Sequence, residues 1–293
     1  MPMLLIKGAY AIVGTSPDGD TVHFRADTPA EWDFVCGPHR VKRNSEGRAK
    51  LRLEGIDTLE THFTSHGPEV SQPPPIPAQA RKALLDWVGF TDVQWGADGT
   101  VASTVPASVP GFVLTRGADP DNRCIAFAGL GTHPAASGTH VNVDAALLRT
   151  TLNYQQISSG LAYPMYYQTL FHDLRDELTA AVQQAKAAPA KGVWAVDQTL
   201  TGASVTGMSS ITDTGPTAGG AVIYPKLFRR LVEYLNLGDA NVAGFPAFLD
   251  QKADKFMVLS TGQFTTGLDA VVEVSGTTVK MTRPPEDLVF QEA

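Results

Sequence analysis

Short apolar runs that alternate with polar residues dominate the first half of the chain, and helical spacing follows them. In residues 49–56, Leu51 and Leu53 alternate with charged side chains, and a period of two is typical of a half-buried strand. We therefore expect a small antiparallel sheet or a barrel. The predicted strands are residues 9–13, 21–25, 49–56, 111–115 and 124–128.

Prolines indicate where the first helix begins. Residues 61–77 contain several prolines and end in the sequence PPPIP. Proline cannot donate to a strand ladder and disrupts the interior of a helix, so this segment is predicted to be a loop. Because proline is favourable at the first helical position, Pro77 is predicted to begin a helix over residues 78–88. Two further helical patterns cover residues 154–161 and 167–187.

The composition of the chain changes after Trp194. Residues 199–220 are mostly threonine, serine and glycine, a composition that predicts a linker. The predicted organisation is therefore a domain over residues 1–198, this linker, and a small region over residues 221–293.

The predicted C-terminal region combines helix and strand patterns. Apolar residues recur at helical spacing after Pro225, which predicts a helix with one buried face. A turn at Ser275-Gly276 is predicted to join the last two of three strands. These strands are residues 256–260, 270–274 and 277–281. We expect an α+β region, and we find no catalytic motif in it.

The overall composition is that of a chain that buries a sizeable core. Of the 293 residues, 43% are hydrophobic and 18% are charged, which excludes a disordered or fibrous chain. No apolar window is long enough to span a membrane, so we expect no membrane partner. The 23 basic residues against 30 acidic ones leave a formal charge of −7, which argues against a generally basic nucleic-acid binder.

The cysteines and the N-terminal segment bear on the cellular location. Cys36 and Cys124 can form at most one disulfide, and the sequence leaves open whether they pair. The first residues have no charged leader, apolar stretch and cleavage site of the kind that directs secretion. We expect a cytoplasmic protein, with secretion as the alternative if the sequence was trimmed.

Carboxylates flank two of the predicted strands. Asp18 and Asp20 precede the strand at 21–25, and Asp57 and Glu60 follow the strand at 49–56. A hard cation such as Ca²⁺ takes roughly six to eight oxygen ligands. Three carboxylates and a main-chain carbonyl at this turn are therefore predicted to form a cation site.

Arginines near these carboxylates suit a phosphate group. Arg52 precedes Asp57 by five residues, and Arg123 ends the segment 119–123. A guanidinium is a planar fork of donors that matches phosphate oxygens. The segment 40–52 carries six basic residues against Glu46 alone, and it is either a solvated hairpin or a local stripe that follows a phosphate backbone.

Together these segments resemble the staphylococcal nuclease (thermonuclease) family of OB-fold phosphodiesterases. The family pattern Asp-Gly-Asp-Thr, Arg-x-x-x-x-Asp-Thr-Pro-Glu and Asp-x-x-x-Arg is matched, with its internal spacing, by residues 18–21, 52–60 and 119–123. Residues 152–162 and 174–194 resemble two of its helices, and the resemblance covers about residues 8–198. The chain departs from the pattern at Leu59, which replaces the proline, and at 121–122, where the family has an aromatic residue and a glycine.

The resemblance implies an OB-fold β-barrel with helices, of the α+β class, and a Ca²⁺-dependent nuclease that cleaves DNA, RNA or both and leaves 3′-phosphate ends. It assigns Asp20, Asp57 and the carbonyl of Thr58 to the metal, with Asp18 as a supporting group. It assigns Glu60 to the attacking water, Arg52 and Arg123 to the phosphate, and Tyr166 to a substrate pocket.

Two other functions remain open at this point. An OB barrel that has lost turnover would bind nucleic acid or protein as a non-catalytic module. A nuclease held inactive by a partner, as a defence or toxin effector would be, is the second, and residues 199–293 would then recruit a protein partner.

Overall fold

The structure is a computed structural model that describes residues 1–187, 189–213, 219–238 and 241–291. Its strands in chain order are β1 (Pro2–Tyr10), β2 (Thr21–Ala26), β3 (Arg48–Leu53), β4 (Ile56–Thr58), β5 (Thr91–Trp95), β6 (Val101–Val105), β7 (Val109–Ala118), β8 (Cys124–Leu130), β9 (His140–Asn142), β10 (Ala162–Pro164), β11 (Tyr166–Tyr167), β12 (Ala203–Ser204), β13 (Lys255–Val258), β14 (Gln263–Thr266), β15 (Val272–Ser275), β16 (Thr278–Met281) and β17 (Leu288–Phe290). Its α-helices are α1 (Ile76–Val88), α2 (Ala145–Leu148), α3 (Leu152–Ser158), α4 (His172–Lys186), α5 (Pro225–Leu235) and α6 (Phe245–Lys252).

Five strands close into a barrel, in which β1 joins the two ends of the sheet; β9 also pairs with the start of β1, outside the barrel. β1 pairs with β2 and with β7, both antiparallel. β3 continues from β2 on one side and β8 from β7 on the other, and β3 and β8 then pair in parallel. The prediction of an α+β fold with a β-barrel is confirmed at this level.

The first strand begins seven residues earlier than predicted, at Pro2 rather than at residue 9. Met3, Leu4, Leu5 and Ile6 are all buried. A strand covered on both faces has no polar positions to alternate with. The alternation that indicates β2 and β3 is therefore missing from β1, and a period-two pattern cannot locate its start.

The predicted linker is wrong for the described residues of 199–220. Ala203, Val205 and Ile211 are fully buried, and β12 pairs with β16. The Thr199 hydroxyl accepts a hydrogen bond from the backbone N–H of Tyr224 at 2.9 Å. Short polar side chains can be buried where they find such partners. A composition rich in threonine, serine and glycine is therefore compatible with a packed segment as well as with a linker.

The C-terminal region has the predicted α+β content and packs directly on the barrel domain. α5 begins at Pro225, and its apolar side chains are buried as predicted. β17 pairs in parallel with β11. Leu59, Tyr163 and Met165 lie in one apolar cluster with residues of this region, so the two predicted units share a core.

Smaller features differ from the expectations or extend them. The turn between β15 and β16 has Gly276 and Thr277 at its centre, because Ser275 still pairs with Thr278. Both cysteines are free, with Cys124 buried and Cys36 exposed. No helix of the described residues combines the length and the apolar character that crossing a bilayer requires.

Candidate active site

An open cavity of about 390 Å³ lies where β2 begins and β3 ends. It is lined by seven of the eight predicted site residues, which come from four separate segments of the chain. These seven are Asp18, Asp20, Arg52, Asp57, Thr58, Glu60 and Arg123.

The strand registers bring these segments together. Thr21 of β2 pairs with Arg52 of β3, so Asp20 lies beside Arg52. Leu51 of β3 pairs with Cys124 of β8, which places Arg123 next to the same strand. β4 carries Asp57 and Thr58 and is held by its pairing with β10.

A buried amide from helix α3 positions the loop that presents the first two carboxylates. Gln156 donates from Nε2 to the carbonyl of Gly19 at 2.6 Å and to that of Ala80 at 2.9 Å. A Cβ atom at Gly19 would come within 2.8 Å of Ala80 and of Thr58. Only glycine allows this close approach, so the Asp-Gly-Asp sequence has a steric reason here.

Asp18 and Asp20 are held by hydrogen bonds from their surroundings. Asp20 accepts from the Thr21 hydroxyl at 3.0 Å and from the backbone N–H of Thr58 at 3.3 Å. Asp18 accepts from the Gly19 N–H at 2.6 Å and from the Thr61 hydroxyl at 2.9 Å. Burial, reinforced by the charge of Asp20, raises the pKa of Asp18 to about 6.

The turn that presents Glu60 is anchored by buried side chains instead of a proline. Leu59 is fully buried in the cluster shared with the C-terminal region. The backbone N–H of Glu60 donates to Gln72 Oε1 at 3.1 Å, and Gln72 in turn donates to the carbonyl of Ile223 at 2.8 Å. Packing and a relay of hydrogen bonds therefore hold this turn without a proline at position 59.

Arg229, on helix α5, is a site residue that sequence reasoning missed. Its Nη2 lies 2.7 Å from Asp57 Oδ2 and its Nη1 lies 3.3 Å from Asp57 Oδ1. Nη1 also donates to Glu60 Oε1. The available signal is the i, i+3, i+4 spacing of Lys226, Arg229 and Arg230, which places three basic residues on one face of the predicted helix.

Burial and charge shift the pKa values of the residues that meet here. Burial raises the pKa of Glu60 to about 7, with Arg229 opposing this rise and Asp57 adding to it. Burial alone would lower the pKa of Arg229, but Asp57 and Glu60 raise it well above its usual range. At Arg52, Tyr167 and Asp57 likewise outweigh the effect of burial and raise the pKa. Both arginine partners of Asp57 therefore stay charged.

Arg123 is oriented by the acidic residue that precedes it in the motif. Asp119 accepts from Arg123 Nε at 2.7 Å and from the backbone N–H of Arg123 at 2.8 Å. Asn122 has a φ of 62°, and asparagine tolerates this left-handed conformation better than most residues. An asparagine at position 122 is therefore compatible with the turn that precedes Arg123.

Tyr166 does not line the cavity, and its assignment to a substrate pocket is wrong. It is fully buried and its hydroxyl bonds that of Thr179 at 2.9 Å. Successive residues of a strand face opposite sides, and the next residue, Tyr167, faces the arginines. Tyr167 lines a second cavity of about 300 Å³ that shares Arg52 and Arg123 with the first.

Two of the six basic residues in the predicted stripe form ion pairs away from the cavity. Arg43 pairs with Asp33 at 3.1 Å and Arg48 with Glu46 at 2.8 Å. Of the basic residues in 40–52, Lys50 and Arg52 line the cavity. These two residues extend the positive charge of the stripe into the site.

The donor set fits a hard cation, although the carboxylates are paired with other groups. Asp20, Asp57, Glu60 and the carbonyl of Thr58 are oxygen donors of the kind that Ca²⁺ prefers. In the described residues, no group of three or more His, Cys, Asp or Glu side chains is arranged as a ready-made metal site. The oxygens of Asp57 are held by Arg229 at 2.7 and 3.3 Å, so a positive group already occupies the position beside them.

Comparison with known proteins adds no relative. No family model and no curated protein matches the chain.

Proposed function

We propose that this protein hydrolyses phosphodiester bonds of DNA, RNA or both in a reaction assisted by Ca²⁺. The observation that carries the proposal is the convergence of Asp20, Asp57 and Glu60 with Arg52 and Arg123 on one open cavity. A closed five-stranded barrel with helices supports the proposed OB-fold, staphylococcal-nuclease-like assignment.

Each side chain has a role that follows from its charge and surroundings. Glu60, with its pKa raised to about 7, is suited to take a proton from the attacking water near neutral pH. Arg52 and Arg123 would bind the phosphate oxygens and stabilise the charge that grows on them. Asp119 keeps Arg123 in place for that contact.

The cation would be held by Asp20, Asp57 and the carbonyl of Thr58, with Asp18 supporting Asp20. When bound, it would polarise the phosphate and offset the negative charge of the site. The reaction by family resemblance leaves a 3′-phosphate.

The net charge of −7 limits how strongly the protein can bind a nucleic acid. The excess of acidic residues does not favour long-range attraction of a nucleic acid. The arginines that line this cavity and the second cavity beside it give local attraction. Binding should therefore be modest and should weaken steeply with added salt.

Cleavage of single-stranded DNA, duplex DNA and RNA in the presence of Ca²⁺, Mg²⁺ or a chelator tests the proposal. Arg123→Ala should lower the rate by about 10²- to 10³-fold, as the loss of a donor to transition-state charge does. Arg149→Ala is the control, because Arg149 pairs with Glu177 away from the cavity. Cleavage that a chelator leaves unchanged would contradict the metal assignment.

A second candidate is the non-catalytic binding module, and the contacts of Arg229 favour it. Arg229 neutralises Asp57 and Glu60, which are the groups that turnover would need. Binding of nucleic acid without cleavage under every metal condition would support this alternative.

A further inference from the structure

One arginine of the C-terminal region enters the cavity that the earlier segments build. Among the described residues that line it, Arg229 is the one that lies beyond residue 123. It pairs with Asp57 and Glu60, which are the proposed metal ligand and the proposed partner of the attacking water. The inference below therefore rests on the proposed function.

The pairing is partly buried, so it is not a loose surface contact. The side chain of Asp57 is 2% exposed and that of Arg229 is 20% exposed. A buried carboxylate needs a partner, because an uncompensated charge is costly away from water. Arg52 Nη2 is 3.7 Å from Asp57 Oδ1, so Arg229 makes the closer contacts with this carboxylate.

The helix that carries Arg229 is fixed by its neighbours. Lys226 lies 2.9 Å from Asp254, and Arg230 bonds both oxygens of Asp254 at 2.8 Å. The opposite face of α5 is buried. The backbone at Arg229 is thus held in place, and the guanidinium on its flexible stem is the part that can move.

We propose that Arg229, while it also holds Glu60, competes with the divalent cation for Asp57 and so sets the cation concentration at which the site fills. A cation that binds Asp57 must take oxygens that Arg229 now holds, and two positive charges repel each other strongly at this range. Arg229 weakens cation binding, and by thermodynamic reciprocity a bound cation weakens the hold of these carboxylates on Arg229.

Calcium binding to the full chain, measured by calorimetry without nucleic acid, tests the proposal. Arg229→Gln should lower the dissociation constant of Ca²⁺ by about tenfold or more, since couplings between two ligands are typically about 5- to 150-fold. Arg149→Gln is the matched control, because it removes the same charge from a bidentate pair outside the cavity. It should bind Ca²⁺ as the wild type does.

The outcomes separate this inference from the proposed function. Equal or weaker Ca²⁺ binding by Arg229→Gln would overturn the competition and leave the proposed function standing. If neither the wild type nor Arg229→Gln binds Ca²⁺, although circular dichroism shows both to be folded, the metal assignment and the competition are both overturned.

A second measurement needs no variant. In the wild type, the nuclear magnetic resonance signal of the Arg229 Nε–H, assigned through its own side chain, should move as Ca²⁺ is added. The corresponding signal of Arg149 should stay in place. An Arg229 signal that is unchanged at saturating Ca²⁺ would overturn the proposal.

Discussion

Asp57 is a buried carboxylate that lies between two guanidiniums. Arg229 approaches one oxygen at 2.7 Å, and Arg52 lies 3.7 Å from the other. If these ion pairs opened, Arg52 could bind a phosphate and Asp57 could bind a cation. The ion pairs let the site stay folded without a ligand, and a ligand that binds these groups must break them.

His23 is a titratable group outside the site whose surroundings make the fold sensitive to acid. Burial lowers its pKa from 6.5 to about 4, and the neighbouring Lys50 and Arg48 add to this effect. In the described residues its Nδ1 is buried without a hydrogen-bond partner. The folded chain therefore favours the neutral ring, whereas the unfolded chain takes up a proton at a higher pH.

The free energy of unfolding should fall in acid because of His23. Stability that is fully present above pH 6.5, the usual pKa of histidine, is lost as the pH falls through about 4. Urea unfolding of the wild type and of His23→Gln at several pH values checks this, because the difference between them cancels the contributions of Asp18 and Glu60. Parallel pH profiles for the two proteins would contradict the prediction.

Two buried amides of helix α3 add to the strand pairing that holds the site segments together. Asn153 donates from Nδ2 to the carbonyls of Glu54 and Ala126 at 2.9 and 3.0 Å, and its Oδ1 accepts from the N–H of Ala128 at 3.0 Å. These bonds tie the end of β3 to β8 where the two strands run in parallel. Gln156 of the same helix binds the Gly19 loop.

Asn153→Ala should destabilise the protein by about 3 kcal/mol, because it leaves buried backbone groups without partners at about 1–3 kcal/mol each. Urea denaturation measures the change. Gln155→Ala is the matched control on the same helix, where the side chain is exposed, and it should cost less than about 0.5 kcal/mol. Equal stability of the two variants would show that the buried amide does not hold the strands.

The sequence predicted those parts of the fold whose patterns are local. β2 and β3 were predicted because their apolar and polar positions alternate. β8 was predicted from a short apolar run, and α5 because Pro225 begins it and one of its faces is apolar. β1 was placed too late because its residues 3–6 are all apolar and buried, so its first half shows no alternation. The linker was wrong because Thr199 and its neighbours are buried through hydrogen bonds that composition does not reveal.

The sequence predicted the site residues that belong to short motifs. It missed the residue that reaches the site only through the fold. Seven residues came from short motifs whose spacing brings them to one cavity. Arg229 lies 172 residues after Asp57, and no local pattern links the two. The resemblance points to Tyr166, whereas its neighbour Tyr167 is the residue that lines a cavity. Neighbouring residues of a strand face opposite sides, so a shift of one position separates a buried side chain from one at a cavity.

For the chain as a whole, the shared core makes the C-terminal region part of the same folded unit as the barrel. Leu59, Tyr163 and Met165 are covered by that region, and Gln72 links Glu60 to Ile223. The region therefore supports the site as well as contributing Arg229 to it.

A chain that ends at residue 198 should be less stable by roughly 5 kcal/mol or more, because each large apolar side chain that it exposes costs about 1.5–3 kcal/mol. Thermal unfolding and the binding of an apolar fluorescent dye measure this loss. A shortened chain that unfolds cooperatively at the temperature of the full chain, without binding dye, would contradict the shared core.

The most direct test of the proposed function is the rate of Ca²⁺-dependent cleavage of single-stranded DNA by the wild type and by Glu60→Gln, measured side by side. Loss of the group that takes a proton from water should lower the rate by about 10²- to 10⁴-fold, while circular dichroism shows the fold unchanged. Equal rates in the two proteins, or no cleavage by the wild type at any Ca²⁺ concentration, would contradict the proposal.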